Sequence, residues 1–359
     1  MQIFRRALSL LRSRPRRRYA LALAGGGVIG GMYEVGALAA LEERLERAWK
    51  DVDLFVGCSA GAVVAALVAN GVPAREIYRI LDEDLPDPLN FTRTAVYASD
   101  SFRHAFGQFG RLLWAFGKNA VVGLRASIPD MLAHAEADLP AGFFSLVALE
   151  RFLRESFAAR GLANSFGALE HTLLIPAVDL DRATRVVFGR GELRDVPISH
   201  AIAASSAIPG FFEPYHLDGR DYVDGGVGFS GHADLAAEMG AQAVIIVNPL
   251  VPSISENSGG ATRARGLYSI VEQANRIYSQ NLLQLDLAVL RDRYPHVDFF
   301  LLQPESSAGP LLGPSMGFEA SRAALRYGYT STRAWLDGQG DGLVSRLLIG
   351  PHAAAVGTM

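Results

Sequence analysis

The stretch Leu54-Phe55-Val56-Gly57-Cys58-Ser59-Ala60-Gly61 runs from three apolar residues into a serine set between two glycines, and the Ala/Val-rich segment from Ala62 to Ala69 follows. A short apolar run bounded by glycine reads as a buried strand, and the longer segment, stopped by Gly71 and Pro73, as a buried helix. Gly57 to Gly61 fits the pattern G-x-S-x-G. That spacing puts a serine on a tight strand-to-helix turn, where small neighbours let the backbone turn and let a substrate approach. The amides at the start of the next helix favour negative charge developing beside the serine. A glycine-rich turn without chemistry has the same pattern. The placement between strand and helix is what makes Ser59 a candidate nucleophile.

Upstream, Tyr19 to Ala24 is a second apolar run that reads as a strand, broken by Gly25, Gly26 and Gly27. Gly31 to Arg47 has helical spacing, with Val35, Leu38, Leu41 and Leu45 on one face and Glu42, Glu43 and Glu46 on another. The first 70 residues therefore read strand, helix, strand, helix, the rhythm of a parallel sheet in an α/β protein. Gly25 to Gly30 also fits G-x-G-x-x-G, the dinucleotide-binding pattern, which asks for an acid at the end of the second strand. Here that strand runs into Gly57-Cys58-Ser59, while Asp51 and Asp53 precede it. The better reading is a loop that presents backbone N–H groups as an oxyanion hole, from Gly25, Gly26 and Gly27, beside Ser59.

Downstream, the α/β pattern resumes with a helix over 148–159 and a strand over 171–178. A hairpin turn at 179–184 leads to a return strand over 185–188. A helix at 196–206, a short strand ending at Asp224, a strand over 243–247, a polar loop at 253–260, a long helix at 266–291, a strand over 297–302 and a final helix at 318–336 complete the reading. Residues 84–145 differ. Between Ser101 and Leu124 lie Phe102, Phe106, Phe109, Leu112, Leu113, Trp114 and Phe116, interleaved with Arg103, Arg111 and Lys118, and no acid occurs from Ser101 to Pro129. Two readings fit: a lid or cap that meets a membrane, or a helical subdomain that packs its aromatics into the core. The domain layout is thus an arm over 1–18, a catalytic domain over 19–250 with an insertion at 84–145, an extension over 251–350 packed on the core, and a tail over 351–359.

The chain has 359 residues, half of them apolar, 37 glycines and a net charge of -3. This excludes a wholly disordered chain. Mean hydropathy is +0.17, yet no run of about 18 uncharged apolar residues exists to span a bilayer. The single cysteine, Cys58, excludes an intramolecular disulfide framework and a cysteine-based zinc site, and fits a reducing compartment. Residues 1–18 carry seven arginines and no acid, which leaves -10 for the rest. An acidic body argues against nucleic acid as a partner. The arm is either a contact to anionic lipid, at about 1 kcal/mol per arginine, or a solvated terminus. Its apolar stretch is broken by Ser9 and ends at Arg12, so it makes a poor signal peptide.

A serine nucleophile needs a base. The chain has eight histidines, of which only His232 has a distinctive setting, at the start of a helix eight residues beyond Asp224. Against them stands Asp224, at a strand end and followed by Gly225 and Gly226. Asp-Gly by itself is usually only a turn.

Taken in order, the glycine loop, the Gly57–Gly61 elbow, the block Ala204-Ser205-Ser206-Ala207-Ile208-Pro209-Gly210-Phe211-Phe212-Glu213-Pro214 and Asp224-Gly225-Gly226 resemble the patatin-like phospholipases, over about residues 19–250. Ala177-Val178-Asp179-Leu180 through Phe188 also looks like that family's central hairpin. The resemblance implies a mostly parallel central sheet flanked by helices. It implies a Ser–Asp dyad without histidine, Ser59 being the nucleophile and Asp224 the base. Gly25 to Gly27 would form the oxyanion hole, and Gly30, Gly57, Gly61, Gly225 and Gly226 would support the motifs. It implies hydrolysis of acyl esters of phospholipids and related lipids, with no cofactor and no metal. The basic arm and residues 101–124 would be the membrane contacts of a cytoplasmic, peripherally attached protein. Acyl transfer by the same serine, or a non-catalytic protein that binds lipid surfaces, are the alternatives. The family usually places Arg or Lys just before the last glycine of the loop; Ile29 or Gly30 stands there in this chain.

Overall fold

The computed structural model describes residues 18–90, 141–254, 266–304, 309–311, 316–317 and 320–349. The expected aromatic segment 101–124, most of the insertion at 84–145 and all of the basic arm except Arg18 lie outside the described residues.

The polypeptide builds β1 (Tyr19–Leu23), α1 (Gly27–Trp49), β2 (Val52–Gly57), α2 (Ala60–Ala69) and α3 (Ala74–Asp82). Then come α4 (Val147–Ala159), β3 (Thr172–Asp179), β4 (Thr184–Phe188), α5 (Ile198–Ser205), β5 (Tyr215–Leu217) and β6 (Arg220–Asp224). The chain closes with α6 (Ala233–Glu238), β7 (Ala243–Val247), α7 (Leu267–Arg293), β8 (Asp298–Leu302) and α8 (Ser321–Ile349). Among the described residues the sheet has eight strands in the order β5-β6-β3-β2-β1-β7-β8, with β4 paired to β3. β3-β2-β1-β7-β8 are mutually parallel, whereas β4, β5 and β6 pair antiparallel.

Both faces of the parallel part are covered, as such sheets require. Side chains alternate along β1: Tyr19, Leu21 and Leu23 enter one core, with α1, α2, α5 and α8, while Ala20 and Ala22 enter the other, with α6 and α7. This is the mostly parallel, helix-flanked architecture that the sequence predicts.

Four elements differ from the sequence reading. α8 runs from Ser321 on to Ile349, well past the expected end at 336. α1 begins at Gly27, not Gly31, so part of the apparent loop is already helix. α3 follows Pro73 directly. The proline is an extended residue that starts this helix as well as ending the segment before it. β5 is a short strand that only its pairing with β6 defines. Arg18, counted with the arm, is tied into the sheet base by bonds to Asp53 (3.2 Å), the Met239 carbonyl (2.7 Å) and Thr172 (3.0 Å).

Candidate active site

β2 delivers Ser59 to the carboxyl end of the parallel strands. The residue has φ 55° and ψ -128°, a strained conformation for a side-chain-bearing residue, directly before α2. Gly57 and Gly61 are obligatory here. A Cβ on Gly57 would come 2.5 Å from the Gly61 carbonyl oxygen, and one on Gly61 2.7 Å from that of Leu23. The turn is anchored by Ser205 at the end of α5, whose hydroxyl accepts from the Ser59 amide (3.0 Å) and donates to the Pro176 carbonyl (2.6 Å).

The glycine loop crosses the elbow. Gly25, Gly26 and Gly27 take φ values of 84°, 114° and 67°, which only glycine holds without cost. A Cβ on Gly25 would overlap the Cys58 carbonyl and sit 2.9 Å from the Ser59 Cβ. Gly30 packs as closely on the Gly25 carbonyl. The Gly25 amide donates to Glu34 Oε1 at 2.8 Å. Among the described residues, no acceptor takes the amides of Gly26 and Gly27. Of the three amides expected to face the oxyanion, that of Gly25 is engaged by Glu34.

Asp224 reaches the elbow from the antiparallel side of β3, paired with Ala177. Gly225 lies flat on Pro176 and Cys58, and the Gly226 amide donates to Asp224 Oδ1 at 2.8 Å. Cys58 Sγ is 3.7 Å from the same oxygen. Asp224 is 8% exposed, and among the described residues no cation is bonded to its carboxyl. Burial pushes it up to about 6, while hydrogen bonds from the Gly226 amide, the Ser59 hydroxyl and the Cys58 thiol favour its ionised form. An aspartate near 6 is a usable base at neutral pH.

None of the described histidines takes this place. His200 bonds to Tyr215 and His216 to Asp221. His232 is buried with its Nδ1 3.4 Å from Arg185, and burial together with the Arg185 charge lowers it to about 4.

Ser59 also borders an apolar cavity enclosing about 800 Å³, its open mouth included. The cavity runs between α1 and α2, from Val28 and Val63 to Leu67, Ile77 and Leu81, and Ser59 and Ser206 are its polar side chains. Ser205 entered the sequence reading only as part of the 204–214 block, with no role of its own, and Glu34 was given none. One signal was available for Glu34: with Leu38, Leu41 and Leu45 it falls at apolar-stripe spacing on α1, and it is fully buried.

Among the described residues, no helix is long and apolar enough to cross a membrane. A 116-residue stretch is 42% identical to mouse 1-acylglycerol-3-phosphate O-acyltransferase Pnpla3, covering 32% of this chain and 24% of that one. The probable lipid hydrolase 463L of invertebrate iridescent virus 6 is 22% identical over 61% of this chain and 63% of its own. VipD from Legionella pneumophila aligns over 90% of this chain and 67% of its own, at 15% identity and a TM-score of 0.39. The chain spans less than two thirds of the length of the curated relatives it matches. The model of the patatin-like phospholipases matches residues 21–236, more than half of the sequence, and the chain belongs to that family.

Proposed function

We propose that this protein is a lipid acyl hydrolase working through Ser59 and Asp224. The observation that carries the reading is Ser59 on its strained turn, with a desolvated carboxyl behind it and an apolar cavity in front. Asp224 takes the Ser59 proton as Oγ attacks the ester carbonyl. The resulting oxyanion is held by the Gly26 and Gly27 amides. The tetrahedral species collapses with loss of the alcohol, which takes the proton back from Asp224. Water, deprotonated by Asp224, then attacks the acyl-enzyme. The fatty acid leaves and Ser59 recovers its proton. The apolar lining of the cavity suits the acyl chain. No metal or cofactor enters these steps.

The substrate is a phospholipid or related lipid ester, met at a membrane through residues 1–18 and 101–124 by a peripheral, cytoplasmic protein. Replacing Phe109 and Trp114 by serine should weaken binding to anionic vesicles and leave turnover of a soluble ester unchanged. Ser59→Ala should abolish hydrolysis of p-nitrophenyl esters and fluorophosphonate labelling while the melting temperature stays put. Hydrolysis at the wild-type rate by this variant would sink the proposal. Acyl transfer is the second reading, favoured by the mouse acyltransferase relative. Product analysis with a lysophospholipid acceptor present separates the two.

A further inference from the structure

Glu34 is a carboxyl side chain with no contact to solvent, one and a half turns or more into α1. Its Oε1 accepts the Gly25 amide at 2.8 Å, and among the described residues its Oε2 has no partner. Such a group costs stability. A leucine would fill the space without an orphaned oxygen, as Leu38 and Leu41 do on the same stripe. What it does is local. Three successive glycines with positive φ have little intrinsic preference for one shape. The loop is tied at its entry by the Ala24 amide on the Val247 carbonyl (3.0 Å) and at its exit by the Gly30 amide on the Gly26 carbonyl (3.1 Å). Glu34 supplies the tie between them.

We infer that Glu34 is a positioning residue for the reaction at Ser59: by taking up the Gly25 amide it fixes the glycine loop so that the Gly26 and Gly27 amides point at the developing oxyanion. This rests on the Ser59–Asp224 reading above. Burial pushes the Glu34 carboxyl well above the ordinary glutamate range, which disfavours a negative charge beside the oxyanion. A neutral acceptor is all that the geometry uses.

The test compares Glu34→Gln, which keeps an uncharged acceptor of the same shape, with Glu34→Leu and Glu34→Met, which remove it. Turnover of p-nitrophenyl butyrate and the rate of fluorophosphonate labelling are measured alongside the melting temperature. The apolar variants should lose about 10- to 100-fold in kcat, somewhat less than deletion of an oxyanion donor itself, with KM within about threefold. Labelling should slow in parallel, because the phosphonyl oxygen uses the same amides. Glu34→Gln should restore kcat to within about threefold. A folded apolar variant with wild-type kcat, a loss confined to KM, or a Gln variant as slow as the Leu variant would each overturn the inference. So would the failure of both apolar variants to fold beside a folded Gln variant, since the side chain would then be structural. Ser59→Ala is run in parallel. If it keeps activity, the dyad reading fails; if it is inactive while the Glu34 variants match wild type, only this inference fails.

Discussion

Asp224 and Asp234 lie ten residues apart, both largely withdrawn from water, and the structure gives them opposite chemistry. Asp224, at the end of β6, receives uncharged donors from Gly226, Ser59 and Cys58, and burial wins: its pKa is raised to about 6. Asp234, in the first turn of α6, faces Arg185, whose guanidinium grips both carboxylate oxygens and stacks over Phe229. Burial pushes Asp234 up too, but the Arg185 hydrogen bonds and charge more than offset it, and the carboxyl is held below its usual range. One site keeps a carboxylate that readily takes a proton. The other keeps one that does not. Among the described residues, the difference between the two is the presence of a counter-ion at Asp234 and not at Asp224.

The largest expected effect is on turnover. Asp224→Asn should lower kcat by about 10²–10⁴, the range for removing a general base. Asp234→Asn, which touches no reacting atom, should leave the kcat of the folded protein within about threefold. In the wild type, kcat/KM should fall as pH drops through about 6, because Asp224 works only when ionised. A pH profile flat down to 5, or equal kcat losses in the two variants, would break the contrast.

Stability should respond with opposite signs to the same substitution. Asp224 has a folded pKa above its unfolded value, so its contribution is favourable below about 4 and lost as pH rises through 6. At pH 8 the ionised carboxyl costs on the order of 3 kcal/mol. Asp224→Asn should therefore melt higher than wild type at pH 8, with the gap closing towards pH 4. Asp234 has a depressed pKa, contributes stability above its unfolded value and loses it on acidification. Asp234→Asn leaves Arg185 poorly paired and should cost about 1–3 kcal/mol at pH 8, read as a lower melting temperature. Urea titrations of both variants at pH 8 and 5 measure the Asp224 slope, and titrations below about pH 4 measure the Asp234 slope.

The sequence showed this division only in part. β1, β2, α2 and the hairpin at 179–184 follow from local apolar runs and turn residues, and the structure has them within a residue or two. Asp224 was legible because Gly225 and Gly226 follow it within a recognisable order of motifs. The start of α1 was hidden because Gly27, Gly30 and Gly31 read as loop. Gly30 and Gly31 are glycines inside the helix because a Cβ on Gly30 would come 2.5 Å from the Gly25 carbonyl oxygen and one on Gly31 3.2 Å from the Ala60 Cβ. α3 was hidden by Pro73, which signals an end and a beginning alike. Ser205 and Arg185 act through partners 146 and 49 residues away. Such long-range pairing is set by how α5 and α6 pack on the sheet, and spacing along the chain does not encode it.

The smallest expected effect concerns Cys58. Its thiol, pushed well above the ordinary cysteine range first by burial and then by the Asp224 charge, stays protonated and sits 3.7 Å from Asp224 Oδ1. A thiol is a weak donor, and it favours the ionised form of the aspartate that the burial around it opposes. Cys58→Ala removes that donor and leaves the Gly226 bond in place. The ionised base is then less stabilised, so the acid limb of kcat/KM should move to higher pH. A weak bond worth about 0.5–1 kcal/mol shifts a pKa by roughly half a unit. At pH 8, where Asp224 is ionised in both proteins, kcat should change by less than about threefold. The direction of the limb is the deciding reading. A limb that stays in place or moves to lower pH would mean that the thiol does not donate to Asp224, and that burial is opposed by the Ser59 hydroxyl and the Gly226 amide alone.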